Sequence, residues 1–193
     1  MSQCAQQMPA FQSSNLELRS DGLWVSKDQS EIAYPESGNE GCYQIEENSF
    51  WFRHRNNAIV SVIRAFAPNG AIYDIGGGNG FVSLGMKDAG FDVVLVEPGV
   101  SGALNGKKRG LETVVCSTLQ DAQFAPHSLP AVGIFDVLEH IEDDVAFLQM
   151  IRAALRPDGK LYLTVPAYQW LWSQEDVYAQ HYKRYTISQL KKT

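Results

Sequence analysis

No apolar run in the 193-residue sequence approaches membrane-spanning length, and the opening MSQCAQQMPAFQSS contains no apolar signal core. Cysteine is scarce. Cys4, Cys42 and Cys116 are odd in number and far apart, which fits a reducing compartment and no metal motif. Positive charge is also thin, with 16 Lys and Arg against 22 Asp and Glu, a net charge of −6. Apart from Lys107-Lys108-Arg109 and Lys183-Arg184, the basic residues are scattered, and no patch suited to nucleic acid stands out. There is no internal repeat. These absences predict a cytoplasmic protein without a transmembrane segment or a nucleic-acid partner. What is present is 45% apolar and 11% aromatic content, enough for one sizeable core.

The first forty residues are polar except for a hairpin signal, in which LELRS and LWVSK flank Asp21-Gly22. Pro35 to Gly41 separates this from the rest. Residues 1–41 are therefore expected to form an N-terminal arm, a small β appendage, and residues 42–193 the core. Ser49 can cap a helix over Phe50 to Phe66, with Ile59, Val62, Ile63 and Phe66 on one face. Strands are then predicted at Ala71–Ile75, Asp92–Glu97, Thr113–Cys116, Ala131–Asp136 and Lys160–Val165. Helices alternate with them near Phe81–Ala89, near Gly102–Arg109 and after Asp143-Asp144. The Arg156-Pro157-Asp158-Gly159 stretch is expected to turn the chain into the fifth strand. Nearly continuous apolar strands alternating with helices give an α/β fold, a Rossmann-like, mostly parallel sheet with helices on both faces.

The chain is organised around AIYDIGGGNGFVS, Ala71 to Ser83. A strand ends in Asp74, glycines follow at Gly76, Gly77, Gly78 and Gly80, and a helix begins. Such a turn admits positive φ and brings a ligand to unpaired helical N–H groups. The dinucleotide fingerprint requires Gly at i, i+2 and i+5. Counted from Gly76 the third position is Phe81, and from Gly78 it is Ser83, so that fingerprint is not met. Glu97, followed by Pro98, ends the next strand on the same rim of the sheet, where a carboxylate can accept from ribose hydroxyls.

The Asp74-x-Gly76-x-Gly78-x-Gly80 pattern resembles the first motif of class I S-adenosylmethionine-dependent methyltransferases. Two further stretches are similar to motifs of that family in the same order: Asp136-Val137-Leu138-Glu139-His140 after the fourth strand, and Leu155-Arg156-Pro157-Asp158-Gly159 before the fifth. The resemblance spans about Phe50 to Tyr185. It implies S-adenosyl-L-methionine as cofactor, leaving as S-adenosyl-L-homocysteine. The cofactor would be held by Asp74, Gly76, Gly77, Gly78, Gly80, Glu97 and Pro98, with Phe135, Asp136 and His140 near its methionine end. The family often has an Asp after the third strand to meet adenine. Thr118 stands there instead, so adenine recognition is expected to rest on Thr118, Leu119 and backbone groups.

After the fifth strand, the run Tyr168-Gln169-Trp170-Leu171-Trp172-Ser173-Gln174-Glu175-Asp176 and the run His181-Tyr182-Lys183-Arg184-Tyr185-Thr186 look like signatures of a small-molecule or lipid- or saccharide-linked subgroup. They imply an acceptor lid in which Asp176 or His181 takes a proton, Tyr168 and Trp172 exclude water, and Arg184 and Tyr185 hold the acceptor. Acceptor atoms are expected to be O or N. The alternatives are a cofactor-binding protein without turnover and an NAD-dependent oxidoreductase. Only five core strands can be counted, so the sheet is expected to lack the last strands of the usual seven. The chain then reads as C-terminally truncated, with an open edge that a homodimer would cover.

Overall fold

The computed structural model describes residues 12–28 and 43–193. The expected polar N-terminus, the separating stretch Pro35 to Gly41, and Cys4 and Cys42 lie outside them. The strands are β1 (Leu16–Leu18), β2 (Trp24–Ser26), β3 (Ile72–Ile75), β4 (Val93–Val96), β5 (Thr113–Cys116), β6 (Leu129–Phe135) and β7 (Leu155–Thr164). The helices are α1 (Phe50–Ala65), α2 (Phe81–Asp88), α3 (Val100–Lys108), α4 (Leu119–Ala122), α5 (Asp144–Ala154), α6 (Gln174–Tyr178) and α7 (Ile187–Leu190). Short 3₁₀ turns cover Leu138–His140 and Gln169–Leu171.

One seven-stranded sheet runs in the order β1-β2-β5-β4-β3-β6-β7, parallel throughout except for the antiparallel β1–β2 hairpin. The period-2 alternation of each strand sorts its side chains between two layers. Tyr73, Ile75, Val94, Val96, Val132 and Ile134 face one cluster, which holds Ile151 and Ala154 of α5 and Leu119 and Ala122 of α4. Ile72, Ala131 and Phe135 face the other, against Ile59, Val60 and Ile63 of α1 and Val82 and Met86 of α2. The chain leaves β3 toward β4 and β5, then returns to β3's other side as β6. The switch point of the sheet therefore falls at the C-terminal end of β3, where the glycine turn lies.

Two expectations are revised. The hairpin is not a free appendage, because β2 pairs in parallel with β5 (Trp24 with Val115, Val25 with Cys116) and extends the sheet. β5 is buried along its whole length and needs a neighbour on both sides, which Leu23 and Val25 supply by packing with Leu95, Ala103 and Val114. The sheet thus reaches seven strands through its N-terminal hairpin and not through later strands. Polar ties hold the hairpin down: Asn15 Nδ2 donates to the Asp121 carbonyl at 2.7 Å, Ser13 Oγ to the Ala122 carbonyl at 2.6 Å, and Ser26 and Ser117 hydroxyls pair. The second revision concerns residues 156–159. They bulge out of a longer strand, since Leu129 pairs with Leu155 and Ala131 with Lys160.

If the hairpin belongs to the cooperative core, Leu23→Ala should lower stability by about 2–5 kcal/mol, the range for emptying a fully buried leucine site. Urea unfolding followed by circular dichroism checks this, and a loss below about 0.5 kcal/mol would place the hairpin outside the core.

Candidate active site

The rim at the C-terminal ends of β3, β4, β5, β6 and β7 carries nearly every residue singled out from the sequence. Gly76, Gly78 and Gly80 all have positive φ, at 69°, 56° and 73°. Their freedom serves packing as well as ligand approach. A Cβ on Gly77 would stand 2.4 Å from Leu95 Cδ1 and 2.8 Å from Asp74 Oδ2, and one on Gly80 would stand 2.7 Å from Leu111 Cδ1. The turn is pressed onto the sheet and α3, and only glycines fit that seat.

Asp74 lies beneath the turn, with no exposed surface. Its Oδ2 accepts from Ser83 Oγ at 2.6 Å, while Oδ1 has no partner. Burial, partly offset by Ser83, pushes its pKa up to about 6. Asp74 therefore braces the turn from below and leaves one buried acceptor open. Glu97 closes the turn from the side. Its two oxygens accept from Gly78 N–H at 2.9 Å and Gly99 N–H at 2.8 Å. Burial, opposed by those N–H groups of Gly99 and Gly78, pushes it up to about 7. A carboxylate has about four acceptor positions, so two remain for a pair of hydroxyls. The open acceptors on Asp74 and Glu97, beside a turn bent by three positive-φ glycines, fit a nucleoside cofactor.

Asn79 in the turn is covered from the other side. Arg109, nearly fully buried, donates to Glu46 Oε2 at 2.7 Å and to the Asn79 carbonyl at 2.9 Å, with Tyr43 and Phe81 rings against its guanidinium. This clasp ties the helical residues 43–46 to the turn. It was not foreseen, since nothing local marks two residues 63 apart as partners.

The other expected cofactor residues divide. Pro98 sits at the rim next to Glu97, and its carbonyl meets Cys116 Sγ at 3.7 Å. Thr118 caps α4, its hydroxyl accepting from Asp121 N–H at 2.9 Å, and Leu119 is buried in the core. Phe135 packs in the α1–α2 layer. Asp136 stands at φ 57° after β6, paired with Arg55 at 2.6 Å and accepting from Thr164 Oγ1 at 2.9 Å. Of this group, Pro98, Asp136 and His140 are in the rim loops, whereas Leu119 and Phe135 present their side chains to the interior.

The lid is organised by Asp176, which is 1% exposed. It accepts from Arg184 Nε and NH2 at 2.7 and 2.8 Å, from Ser173 N–H at 2.8 Å, and lies 2.9 Å from His181 Nδ1. The Arg184 bonds, then His181 and Ser173, hold its carboxyl far below the usual carboxylate range. A carboxylate so fully bonded is a poor proton acceptor. Asp176, expected as a proton acceptor, is engaged by these four contacts, and the Arg184 guanidinium, expected to hold the acceptor, is bonded to Asp176. Tyr185 is likewise internal, its hydroxyl 3.0 Å from Asp144 Oδ2 and 3.2 Å from the Leu138 carbonyl. Tyr168 and Trp172 remain on the accessible side, Tyr168 being 49% exposed.

His181 differs from its neighbours. With Nδ1 donating to Asp176, its Nε2 is the nitrogen that pair leaves uncommitted. Its ring meets that of His140 edge to face, centroids 4.7 Å apart. Burial, with the neighbouring His181 as a second cause, lowers the His140 pKa. Glu139 is buried beside them, pushed up to about 8 chiefly by burial, and its Oε2 has no partner. The fourth-strand loop and the lid thus converge on one polar spot next to the cofactor turn, and the Tyr182 N–H to Glu139 carbonyl bond at 2.8 Å joins them.

An open, switch-point α/β sheet with a glycine turn and a strand-end acid defines a nucleoside-cofactor-binding, Rossmann-like class of protein. Residues 51–193 match the profile of the methyltransferase domain family, and the chain belongs to it. A curated relative, the ubiquinone biosynthesis O-methyltransferase of Xanthomonas campestris pv. campestris, is 27% identical over 107 residues, 52% of this chain and 45% of the relative. That of Idiomarina loihiensis is 29% identical over 101 residues, 48% and 41% of the two chains. The chain matches less than half the length of these relatives. Among solved structures, an S-adenosylmethionine-dependent methyltransferase of Thermotoga maritima, described as a possible histamine N-methyltransferase, superimposes with TM-score 0.63 at 17% identity. The match covers 81% of this chain and 73% of that one. The Haemonchus contortus phosphoethanolamine N-methyltransferase 2, solved with S-adenosyl-L-methionine, gives TM-score 0.61 at 24% identity, covering 84% and 41%. At these identities the structural likeness speaks for the fold. Family and fold together make the chain a methyltransferase domain on a Rossmann-like sheet.

Glu97 sets an expected pH response. Its ionised form accepts hydroxyl hydrogen bonds, so affinity for S-adenosylhomocysteine should fall as pH drops through about 7. Glu97→Ala should weaken binding by roughly 1–3 kcal/mol and remove that dependence. For the fold alone the sign reverses. A raised acid contributes most stability below its ordinary value and loses it as pH rises through about 7 for Glu97 and about 6 for Asp74. Calorimetric titration and thermal unfolding across pH check both signs.

Proposed function

We propose that this chain transfers a methyl group from S-adenosylmethionine to a hydroxyl oxygen of a small-molecule acceptor. A nitrogen acceptor or a lipid- or saccharide-linked one is the secondary reading. The observation that carries it is the pairing of His181 Nδ1 with Asp176 in the lid after β7, which leaves Nε2 uncommitted. When bound, the cofactor supplies an electrophilic methyl on a sulfonium sulfur. The chain's own part is to hold the reactants close, keep water out and receive a proton. Glu97 and the Gly76–Gly80 turn hold the nucleoside. Tyr168 and Trp172 form the apolar wall on the acceptor side. His181 takes the acceptor's proton at Nε2, while Asp176 fixes its tautomer through Nδ1 and Arg184 fixes Asp176.

A hydroxyl acceptor is favoured because it must lose its proton as the new bond forms, and an oriented imidazole is the group suited to that near neutral pH. The partial match to two O-methyltransferases supports the same choice.

The test is a methyl-transfer assay with labelled cofactor, phenolic and aliphatic alcohols set against primary amines. Transfer to an alcohol is expected. Binding of S-adenosylhomocysteine with no transfer to any acceptor would leave a cofactor-binding domain without turnover. His181→Ala should lower kcat about 10²–10⁴-fold with S-adenosylhomocysteine affinity unchanged. Asp176→Asn should lower kcat with an altered pH profile, because it changes the partner of Nδ1 and not the base itself.

A further inference from the structure

Three metal-ligating side chains meet where the loop after β6 faces the lid. One ligand atom each from Glu139, His140 and His181 lie within 4.8 Å of one another. We propose that Glu139, His140 and His181 form a binding site for a divalent transition-metal cation of the zinc type, through one carboxylate oxygen and two imidazole nitrogens.

The surroundings of each residue are those of a ligand held in place. His181 Nδ1 is anchored 2.9 Å from Asp176 Oδ1, which leaves Nε2 as the free nitrogen. A carboxylate behind a histidine is the usual outer partner of a metal-bound imidazole, fixing its tautomer and raising its basicity. Asp176 is itself fixed by Arg184 and Ser173. The second histidine, His140, brings its ring edge to face against that of His181, centroids 4.7 Å apart. Glu139 is only 1% exposed, and its Oε2 has no hydrogen-bond partner. A buried carboxylate oxygen without a donor is costly, and a cation satisfies it directly. These features come from two separate pieces of chain: the 3₁₀ turn after β6, and the lid from Ser173 through Arg184.

The donor set limits the cation. Two imidazoles and one carboxylate suit zinc and neighbouring divalent ions, whereas magnesium and calcium prefer oxygen alone. Three protein ligands leave a coordination position open, as in metal sites that bind water or a substrate atom. Its role rests on the methyl-transfer reading. An acceptor oxygen in the open position would be polarised, and its proton would leave more readily to solvent. The Nε2 that serves as a base in the metal-free chain would then serve as a ligand. The site itself does not depend on that reading.

The experiment is titration of EDTA-treated protein with Zn²⁺ by calorimetry and with Co²⁺ by visible absorption, with S-adenosylhomocysteine binding measured on the same samples. One equivalent of metal per chain is expected, with a Co²⁺ spectrum of low coordination number. Glu139→Gln and His181→Ala should each weaken Zn²⁺ binding at least 10-fold, and Asp176→Asn roughly 10–100-fold, the range for losing an outer partner. Circular dichroism confirms that each variant is folded, and Glu139→Gln is the variant of nearly unchanged size. Intact S-adenosylhomocysteine binding without saturable Zn²⁺ binding overturns the site and leaves the methyltransferase reading standing. One equivalent of Zn²⁺ unaffected by both Glu139→Gln and His181→Ala overturns it as well. Zn²⁺ binding that responds to both, with no S-adenosylhomocysteine binding, supports the metal site and overturns the cofactor reading.

Discussion

The seat of the glycine turn on the sheet is the constraint from which the rest of the rim follows. Gly77 and Gly80 lie so close to Leu95, Leu111 and Asp74 that a Cβ at either would collide. That closeness puts the N–H of Gly78 within reach of Glu97, on the next strand, and Asp74 within reach of Ser83, in the first turn of α2. Two carboxyls are thereby buried against one glycine turn, Asp74 from its own strand and Glu97 from the end of the next. Neither would be tolerated there without its donors. Each keeps an acceptor free, so the same contacts that build the turn also leave it ready for hydroxyl or ammonium donors.

A second centre of constraint lies across the rim. Asp176 gathers Arg184, Ser173 and His181, and Tyr185 pins the following residues to Asp144 and the Leu138 carbonyl. The backbone joins in, with Tyr168 N–H donating to the Tyr185 carbonyl and Tyr185 N–H to that of Pro166. The aromatic lid therefore rests on an ionic scaffold. Its charged residues are internal struts, and the Tyr168 ring stays on the accessible side.

Local pattern made much of this legible. β5 was placed residue for residue, and β3 and β4 to within a residue at each end, because short apolar runs bounded by glycine, proline and charge leave little choice. The hairpin was legible as a hairpin, but not its place beside β5, because pairing of separated strands depends on contacts that local spacing does not encode. The glycine spacing pointed to the turn and the cofactor class. It did not reveal that Gly77 and Gly80 are required by Leu95 and Leu111. Asp176 and Arg184 were legible as a chemical cluster, yet their residue types are the same for a base and anion clamp as for an internal ion pair. Only the count of donors on Asp176 separates the two. Glu139 was visible within its motif, and only the burial of its unpaired oxygen marks it out from a structural acid.

The balance of charge at the rim links the two centres. Asp136 has Arg55, Asp144 has Lys183 and Asp176 has Arg184, each within 3 Å. Asp74 and Glu97 have neutral donors, Ser83 and two backbone N–H groups. Glu139 has neither a cation nor a donor on Oε2, although it is as buried as Asp74, Glu97 and Asp176. Asp74 and Glu139 each keep one buried oxygen without a donor, and Glu139 is the one grouped with two histidines, ligand atoms within 4.8 Å of one another. A packed interior does not leave such an oxygen unpaired without cost, and replacing it by an apolar residue would have been the simpler solution. That it is an acid, flanked by two imidazoles of which His181 is anchored by Asp176, is the reason to regard this corner as a place for a positive charge that the chain itself does not provide.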